Sequence, residues 1–291
     1  MEKVYLWSDP EIRTQNDRVS ITPMLVDDDK IHPAVLVIPG GGYGVVCLST
    51  EGFPIAGKFN ELGYHAFILD YRTAPNRWPL PQLDAMRAMK VIRSNAQKFR
   101  VDPGQVAVCG FSAGAHLAGS LGILCDELAA VNGDEADAFP HRPDVMILCY
   151  GVLSFSEWNT QGTQMNLLGE NYRAIRHEYS LVEKVNSSTP PAFLMHTICD
   201  QIVPYRNSLE FADAMGRCKR PCELALYNWG DHGILLGLNT LDVISWPERA
   251  HCFMQSLRLE QQDAQFLERY TNSYQNQQNQ LEKQGKCAEK P

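Results

Sequence analysis

Short apolar runs recur along this chain, separated by stretches in which apolar residues return at helical spacing. Runs without polar alternation are typical of strands that are buried on both faces of a parallel sheet. Two weaker stretches near the start, residues 4–7 and 19–26, are interrupted by polar and proline residues and predict edge strands. The central runs are residues 34–38, 64–70, 106–109, 145–150, 192–196 and 222–227.

The segments between these runs predict helices. Helical spacing favours helices over residues 51–62, 81–99, 205–218 and 247–257, and an alanine- and leucine-rich helix directly after Gly114. Residues 101–104 (Val-Asp-Pro-Gly) predict a turn, and residues 126–142 an acidic loop. Strands that alternate with helices through most of the length predict an α/β fold with a mostly parallel central sheet.

Residues 151–189 break this alternation. They are polar and rich in amides, and we interpret them as a lid-like insertion within one domain that spans residues 1–260. Residues 261–291 are a Gln-, Asn- and Lys-rich tail, for which we expect a helical start or disorder. The insertion offers aromatic rings and amides that suit sugar rings and hydroxyls, as in Trp158, Asn159, Asn166, Asn171 and Tyr172.

The net charge and the hydropathy of the chain limit the classes of partner and the cellular compartment that we expect. The 291-residue chain has a formal net charge of −8, which argues against a general nucleic-acid partner because a basic face would not dominate. The first residues lack the pattern of a secretory signal, and no apolar run reaches membrane-spanning length. We therefore expect a cytoplasmic protein with no membrane contact, and we leave a homo-oligomer open.

The cysteines predict neither a disulfide framework nor a metal site. There are nine of them, an odd number, and Cys109, Cys149 and Cys199 resemble small core residues. Cys218 and Cys222 lie close in sequence, but they form no C-x-x-C pair and have no histidine pair nearby. We expect no metal and no cofactor.

One serine lies between glycines directly after an apolar run. Residues 110–114 read Gly-Phe-Ser-Ala-Gly, with a predicted strand before them and a predicted helix after them. This arrangement is typical of a nucleophile elbow, in which the serine occupies a strained turn and the glycines let strand and helix approach closely. The pattern predicts that Ser112 is a nucleophile.

A serine nucleophile needs a base, and His232 is the candidate. In this architecture the chain order is serine, acid, histidine, and His232 follows the last predicted strand in a Gly-Asp-His-Gly loop. His116 lies one turn beyond Ser112 and is expected to pack structurally. His65 and His196 lie in or near strands, where a core or supporting role is expected.

The base in turn needs an orienting acid, and Asp200 has the right place in the chain order. It follows the predicted strand 192–196. Two alternatives are less suitable, because Asp231 is too close to His232 in sequence to reach its ring and Asp70 precedes the serine. The pattern therefore favours Asp200.

The three glycines after the strand 34–38 predict a set of backbone donors. Acyl transfer passes through an oxyanion that needs preformed N–H groups, and those of Gly41, Gly42 and Ala113 are the candidates. The alternative is a phosphate cradle, but the segment lacks the lysine of a P-loop and the spacing of a dinucleotide site. Tyr43 and Trp229 are expected to limit the acyl pocket and so to favour acetyl groups.

The motifs together resemble a known group of enzymes. The chain is similar to α/β-hydrolase esterases related to acetyl-xylan and feruloyl esterases, near the hormone-sensitive-lipase-like branch. The likeness covers roughly residues 34–257, with one departure at Pro39, where lipase-like relatives have a histidine before the glycines. The motifs that carry it are, in order, PGGGYG, EGFPIA, DYRTAP, GFSAGAHLAGSLG, STPPAFLMHTICDQIVPYRNSLEFADAM and GDHGILL.

The resemblance implies an α/β-hydrolase fold and a serine esterase that acts on acetylated carbohydrates. It implies the triad Ser112, Asp200 and His232, with the oxyanion donors named above. Trp158 is expected to bind the sugar, and the substrate to be a small-molecule or oligosaccharide ester. Two alternatives remain open: an arylformamidase- or peptidase-like hydrolase that uses the same triad, and a non-catalytic binding protein of this fold.

Overall fold

The apolar runs pair side by side into a single sheet in a computed structural model that describes residues 2–8, 19–155 and 160–262. The strands in the described part of the chain are β1 (Val4–Tyr5), β2 (Ser20–Met24), β3 (His32–Ile38), β4 (His65–Asp70), β5 (Val101–Phe111), β6 (Met146–Cys149), β7 (Ala192–Thr197) and β8 (Cys222–Tyr227).

The sheet order is β1-β2-β4-β3-β5-β6-β7-β8. Pairing is antiparallel from β1 to β2 and from β2 to β4, and parallel in every pair from β4 to β8. The central strands β4 and β6 are buried along their whole length, as apolar runs covered by helices on both faces should be. This arrangement confirms the predicted α/β-hydrolase fold.

Helices connect the strands, and most of them lie where the sequence predicts. In the described residues they are α1 (Phe53–Glu61), α2 (Leu80–Ser94), α3 (Ala96–Phe99), α4 (Ala113–Ile123), α5 (Gln161–Leu168), α6 (Tyr172–Ile175), α7 (Arg206–Arg217) and α8 (Trp246–Gln262). Short 3₁₀ turns cover Glu135–Ala138, Arg176–Tyr179 and Leu181–Glu183, and a π-helical turn, Leu48–Gly52, precedes α1.

Two local predictions are wrong. The turn expected at residues 101–104 belongs to β5, because Val101 pairs with His32 and the register shifts before Ala34. The turn chemistry is still present, since the Asp102 carboxylate accepts the Gly104 N–H at 3.0 Å, but it forms an irregularity inside a strand. The helix expected over residues 81–99 is two helices that meet at Asn95.

The chain divides into two compact units between Glu248 and Arg249, within α8, and the site described below lies in the first. The predicted boundary at residue 260 stays a prediction. The predicted tail lies outside the described residues beyond Gln262. Of the helices that the structure describes, none has the length and apolar character needed to cross a membrane.

The parallel strands place their carboxyl ends at one edge of the sheet. The loops after β3, β5, β6, β7 and β8 all begin there. Ligands of open α/β sheets bind at this edge. The predicted site residues all follow these strands, and the insertion follows β6.

Candidate active site

The backbone at Ser112 is strained and enclosed. Ser112 lies between β5 and α4 with φ 53° and ψ −120°, a conformation that a serine adopts only where its surroundings impose it. A Cβ at Gly110 would lie 2.3 Å from the carbonyl oxygen of Gly114, and one at Gly114 would lie 2.2 Å from that of Ile38. Strand and helix therefore approach closely enough to require glycine at both positions, as the motif predicts.

The structure brings Ser112, His232 and Asp200 together across 120 residues of chain. Ser112 Oγ lies 2.9 Å from His232 Nε2, and His232 Nδ1 lies 2.7 Å from Asp200 Oδ2. Because a carboxylate can only accept, Nδ1 carries the proton and Nε2 accepts from the serine hydroxyl. The arrangement can move a proton from Ser112 to His232.

Asp200 accepts hydrogen bonds from groups other than His232. Its Oδ1 accepts the backbone N–H groups of Ile202 at 2.9 Å and Val203 at 2.8 Å. His196 Nε2 lies 3.4 Å from Oδ2. Burial alone raises the pKa of Asp200, but hydrogen bonds from the two histidines and a backbone N–H outweigh it and hold the pKa well below its ordinary value. Asp200 is therefore ionised at neutral pH, as an orienting acid must be.

His196 was expected to have a core or supporting role, and its place beside Asp200 was not foreseen. It is fully buried, accepts from Ser208 Oγ at Nδ1 over 2.8 Å and donates from Nε2 to the Val203 carbonyl over 2.9 Å. These contacts fix the tautomer that presents an N–H toward Asp200. A buried histidine four residues before the acid was the available signal.

The predicted oxyanion donors lie around Ser112. Gly41 and Gly42 have φ angles of +123° and +61° and line the same cavity as Ser112, while Ala113 is the first residue of α4. The N–H groups of these three residues donate to no acceptor in the part of the chain that the structure describes. Asn166 donates to the Gly42 carbonyl at 2.9 Å and so ties the loop to the insertion.

Glu51 is a buried carboxylate near the site that the sequence analysis does not single out. Glu51 is 7 % exposed, lines the cavity and accepts the Gly40 N–H at 2.6 Å and the Tyr150 hydroxyl at 3.0 Å. Burial raises its pKa, which these two hydrogen bonds and the nearby His232 lower only in part. Its signal was the EGFPIA motif, which carried the resemblance but was assigned no role.

The cavity over Ser112 has a volume of about 560 Å³, and its wall combines polar groups with a larger share of apolar surface. The insertion contributes the start of α5 to this wall. Hydroxyl and amide side chains lie there beside the apolar Ile202 and Val203. The lining residues are Gly41, Gly42, Cys47, Glu51, Ser112, Thr160, Gln161, Gly162, Thr163, Ile202, Val203 and His232.

Of the three residues expected to contact substrate, the structure describes Tyr43 and Trp229, and neither lines the cavity. The Tyr43 side chain is fully buried, and its hydroxyl lies 2.9 Å from His116 Nδ1, so Tyr43 supports the glycine loop from the core instead of limiting the acyl pocket. The reason is the loop conformation, which turns Tyr43 inward with φ 57°. Trp229 is 68 % exposed. Trp158 lies outside the described residues.

No group of three or more potential metal ligands of the His, Cys, Asp or Glu types forms among the described side chains.

Comparison with known proteins decides the family. The BD-FAE family model matches residues 24–215, a span that contains Ser112 and Asp200 and ends before His232. The chain belongs to the BD-FAE family. Its motifs had placed it among α/β-hydrolase esterases, and that resemblance is confirmed.

Two curated relatives are similar over most of the chain. Endo-1,4-beta-xylanase B of Butyrivibrio fibrisolvens is 36% identical over 80% of this chain and 37% of its own length. Acetylxylan esterase of Xylanibacter ruminicola is 29% identical over 70% of this chain and 41% of its own length. The BD-FAE chain thus spans about two fifths of the length of these curated relatives.

A solved structure matches almost end to end. The acetyl ester-xyloside bifunctional hydrolase from Caldicellulosiruptor lactoaceticus is 36% identical, with a TM-score of 0.82, and the match covers 88% of this chain and 96% of that one.

Proposed function

We propose that this BD-FAE member is a serine esterase that removes short acyl groups, above all acetyl, from carbohydrates. The observation that carries the proposal is the continuous hydrogen-bonded line from Ser112 Oγ through His232 to Asp200, at 2.9 and 2.7 Å. A nucleophile, a base and an orienting acid in this geometry suit acyl transfer.

In the first half of the reaction Ser112 Oγ attacks the ester carbonyl carbon, and its proton passes to His232 Nε2. The carbonyl oxygen becomes an oxyanion, which the N–H groups of Gly41, Gly42 and Ala113 are suited to stabilise. The carbon–oxygen bond to the sugar then breaks, and His232 returns the proton to the leaving sugar oxygen, which becomes a hydroxyl. The acyl group remains on Ser112.

In the second half a water molecule replaces the sugar. His232 takes a proton from water, whose oxygen attacks the acyl carbon, and the proton then returns to Ser112 Oγ as the bond to serine breaks. A carboxylic acid leaves. Asp200 stays ionised throughout and stabilises the imidazolium that forms in each half.

The substrate class follows from the wall and from the relatives. Thr160, Gln161 and Thr163 line the cavity, and hydroxyl and amide side chains suit the hydroxyls of a sugar better than a long acyl chain. Two similar proteins carry acetylxylan esterase and acetyl ester-xyloside hydrolase in their names. We therefore propose acetylated xylose oligomers as the substrate.

The test is hydrolysis of p-nitrophenyl esters from acetate to decanoate, together with acetylated xylo-oligosaccharide, by the parent and by Ser112→Ala. The parent should prefer acetate, the acyl group in the names of the two similar proteins, with kcat/KM at least about tenfold lower for hexanoate, since one methylene in a binding pocket is worth about 1–3 kcal/mol. Ser112→Ala should lose on the order of 10⁶ in kcat, as comparable triads do.

Residual turnover in Ser112→Ala within tenfold of the parent would remove the serine mechanism. A parent that prefers octanoate would contradict the carbohydrate ester as the substrate but would not contradict the esterase activity. Circular dichroism of both proteins serves as the folding control.

A further inference from the structure

Glu51 is a carboxylate that the proposed reaction does not use, yet it lies in the wall of the reaction cavity. It belongs to the π-helical turn Leu48–Gly52, which follows the oxyanion loop, defined here as residues 40–43. Burying a carboxylate is costly unless hydrogen bonds compensate for the lost water. Glu51 has two such donors, and both belong to segments that border Ser112.

The first donor is the backbone of the oxyanion loop. The Gly40 N–H donates to Glu51 Oε2 over 2.6 Å, and the Gly40 carbonyl accepts the Cys47 N–H over 3.1 Å. Both polar groups of Gly40 are therefore held by the segment that carries Glu51. The next two residues are Gly41 and Gly42, whose N–H groups are the proposed oxyanion donors.

Gly40 also lies directly against the nucleophile. A Cβ on Gly40 would stand 2.9 Å from Ser112 Cβ and 3.0 Å from Glu51 Oε2. Little space is left between loop and serine, so the position of Gly40 decides the distance from the donors to the reacting carbon. A misplacement of about 1 Å in such a site can cost on the order of 10² in rate.

The second donor connects Glu51 to the base. The Tyr150 hydroxyl donates to Glu51 Oε1 over 3.0 Å, and the Tyr150 ring meets the His232 ring edge-on, with the centroids 5.2 Å apart. Tyr150 follows β6 with φ 36°, so its backbone is strained as well. Its side chain lies between the carboxylate and the imidazole.

The charges around Glu51 single out His232. Cys47, Tyr71, Cys149 and Tyr150 also face the carboxylate, and each has its pKa raised by burial and by the charge of Glu51. These four groups are thus neutral at neutral pH. His232 gains a positive charge in the proposed reaction, and a carboxylate nearby favours that charge.

We propose that Glu51 is a positioning residue of this esterase: its carboxylate holds the oxyanion loop against Ser112 through Gly40 and holds Tyr150 against His232. The proposal rests on the proposed function, since it assigns Glu51 to the machinery of that same reaction. Both carboxylate oxygens of Glu51 accept hydrogen bonds from these donors, so Glu51 acts through Gly40 and Tyr150.

The test compares Glu51→Ala, Glu51→Gln and Tyr150→Phe with the parent on p-nitrophenyl acetate, with kcat and KM measured separately. Glu51→Ala should lower kcat by about 10- to 100-fold and leave KM within about twofold, because the oxyanion donors act mainly in the transition state. Glu51→Gln should lose less, since its carbonyl oxygen still accepts the Gly40 N–H. Tyr150→Phe removes one donor and should lower kcat by about 2- to 10-fold.

A pH profile separates positioning by a charge from mere packing. In Glu51→Gln the acidic limb of kcat/KM should move to lower pH, because a negative charge that favours protonated His232 has gone. Glu61→Gln is the matched control, since it removes the same charge from the exposed end of α1, where Glu61 pairs with Lys58. It should leave both kcat and the pH profile unchanged.

Melting temperatures identify a variant that fails to fold. If Glu51→Ala does not fold, Glu51→Gln and Tyr150→Phe carry the test. The proposal is overturned if the folded Glu51 variants keep kcat within roughly threefold of the parent, or if only KM changes. Ser112→Ala distinguishes the two failures: if it remains active, the proposed function fails, and if it is inactive while the Glu51 variants match the parent, only this proposal fails.

Discussion

The nucleophile turn and the insertion line the same cavity but are built in opposite ways. At the turn, a methyl group on Gly110 or Gly114 would meet main-chain atoms within 2.3 Å. On the insertion, a methyl group on Gly162 would meet nothing within 4 Å among the described residues, although Gly162 also borders the cavity. The turn is packed main chain against main chain, whereas the insertion leaves open space beside Gly162 among the described residues.

Under the proposed function, we expect this difference to separate reaction chemistry from substrate choice. The position of Ser112 depends on the contact of β5, α4 and the end of β3, none of which can move without unpacking the sheet. The wall contributed by residues 160–163 consists of side chains at the start of a short helix. Changes at the turn should therefore affect every substrate, and changes on the insertion should distinguish between substrates.

After Ser112→Ala, the largest expected effect also belongs to the body of the fold. Asp200→Asn should lower kcat by roughly 10³ to 10⁴ on p-nitrophenyl acetate and on acetylated xylo-oligosaccharide alike, because an asparagine no longer favours the tautomer that accepts from Ser112. The measurement is kcat on both substrates. Asp231→Asn, one residue from His232, is the control and should lose far less; the reverse ranking would contradict the assignment of the acid.

A pair of glycine variants tests the packing contrast directly. Gly114→Ala should destabilise the protein by about 3 kcal/mol or more, since the new methyl meets the carbonyl oxygens of Ile38 and Pro39, which belong to the backbone and cannot turn away. Gly162→Ala should raise stability by up to about 0.5 kcal/mol through helix propensity. Urea unfolding measures both, and equal losses would show that the two walls are not built differently.

His116 joins the two regions, and its titration should be visible in stability. It lies on α4, stacks on Phe155 with ring centroids 4.3 Å apart, and donates from Nε2 to the Tyr179 carbonyl over 2.9 Å. Burial lowers the pKa of His116 from 6.5 to about 4. Between these values the unfolded chain binds a proton that the folded chain does not, so stability falls as the pH falls from about 6.5 to about 4.

The size of this loss is about 3 kcal/mol for a shift of this extent. His116→Gln should remove it, so the free energy of unfolding of the variant should fall less than that of the parent from pH 7 to pH 4. Burial also lowers the pKa of His65 to about 4, but His65 is present in both proteins and cancels in the difference. Parallel pH curves for parent and variant would contradict the buried, neutral state of His116.

The smallest effect should come from the insertion. The hydroxyl of Thr163 makes no hydrogen bond within the described residues and borders the cavity. Thr163→Val keeps the shape and removes the hydroxyl, so it should raise KM for acetylated xylo-oligosaccharide by about 2- to 10-fold, the value of one hydrogen bond. KM for p-nitrophenyl acetate should not change. An equal change on both substrates would argue against a sugar contact.

The sequence by itself was enough to determine the central strands, the order of helices and the strand–turn–helix around Ser112, because runs of apolar residues report burial and a glycine-flanked turn is a local constraint. The chain order then selected Asp200 and His232, and the structure brings both within hydrogen-bond distance of their partners. The boundary between the two compact units, which lies within α8, and the role of the tail have no such local pattern in the sequence.

Only the tertiary structure decided which side chains meet. Glu51 and Tyr150 are 99 residues apart, and Asn166 and Gly42 are 124 apart. Periodicity shows which face of an element is buried but does not show which residue lies opposite it. The inward turn of Tyr43 likewise follows from the positive φ angles of the oxyanion loop, which depend on the packing of Gly40 and Gly41 against their neighbours. Contacts of this kind are set by the closing of the sheet, and no local pattern specifies them.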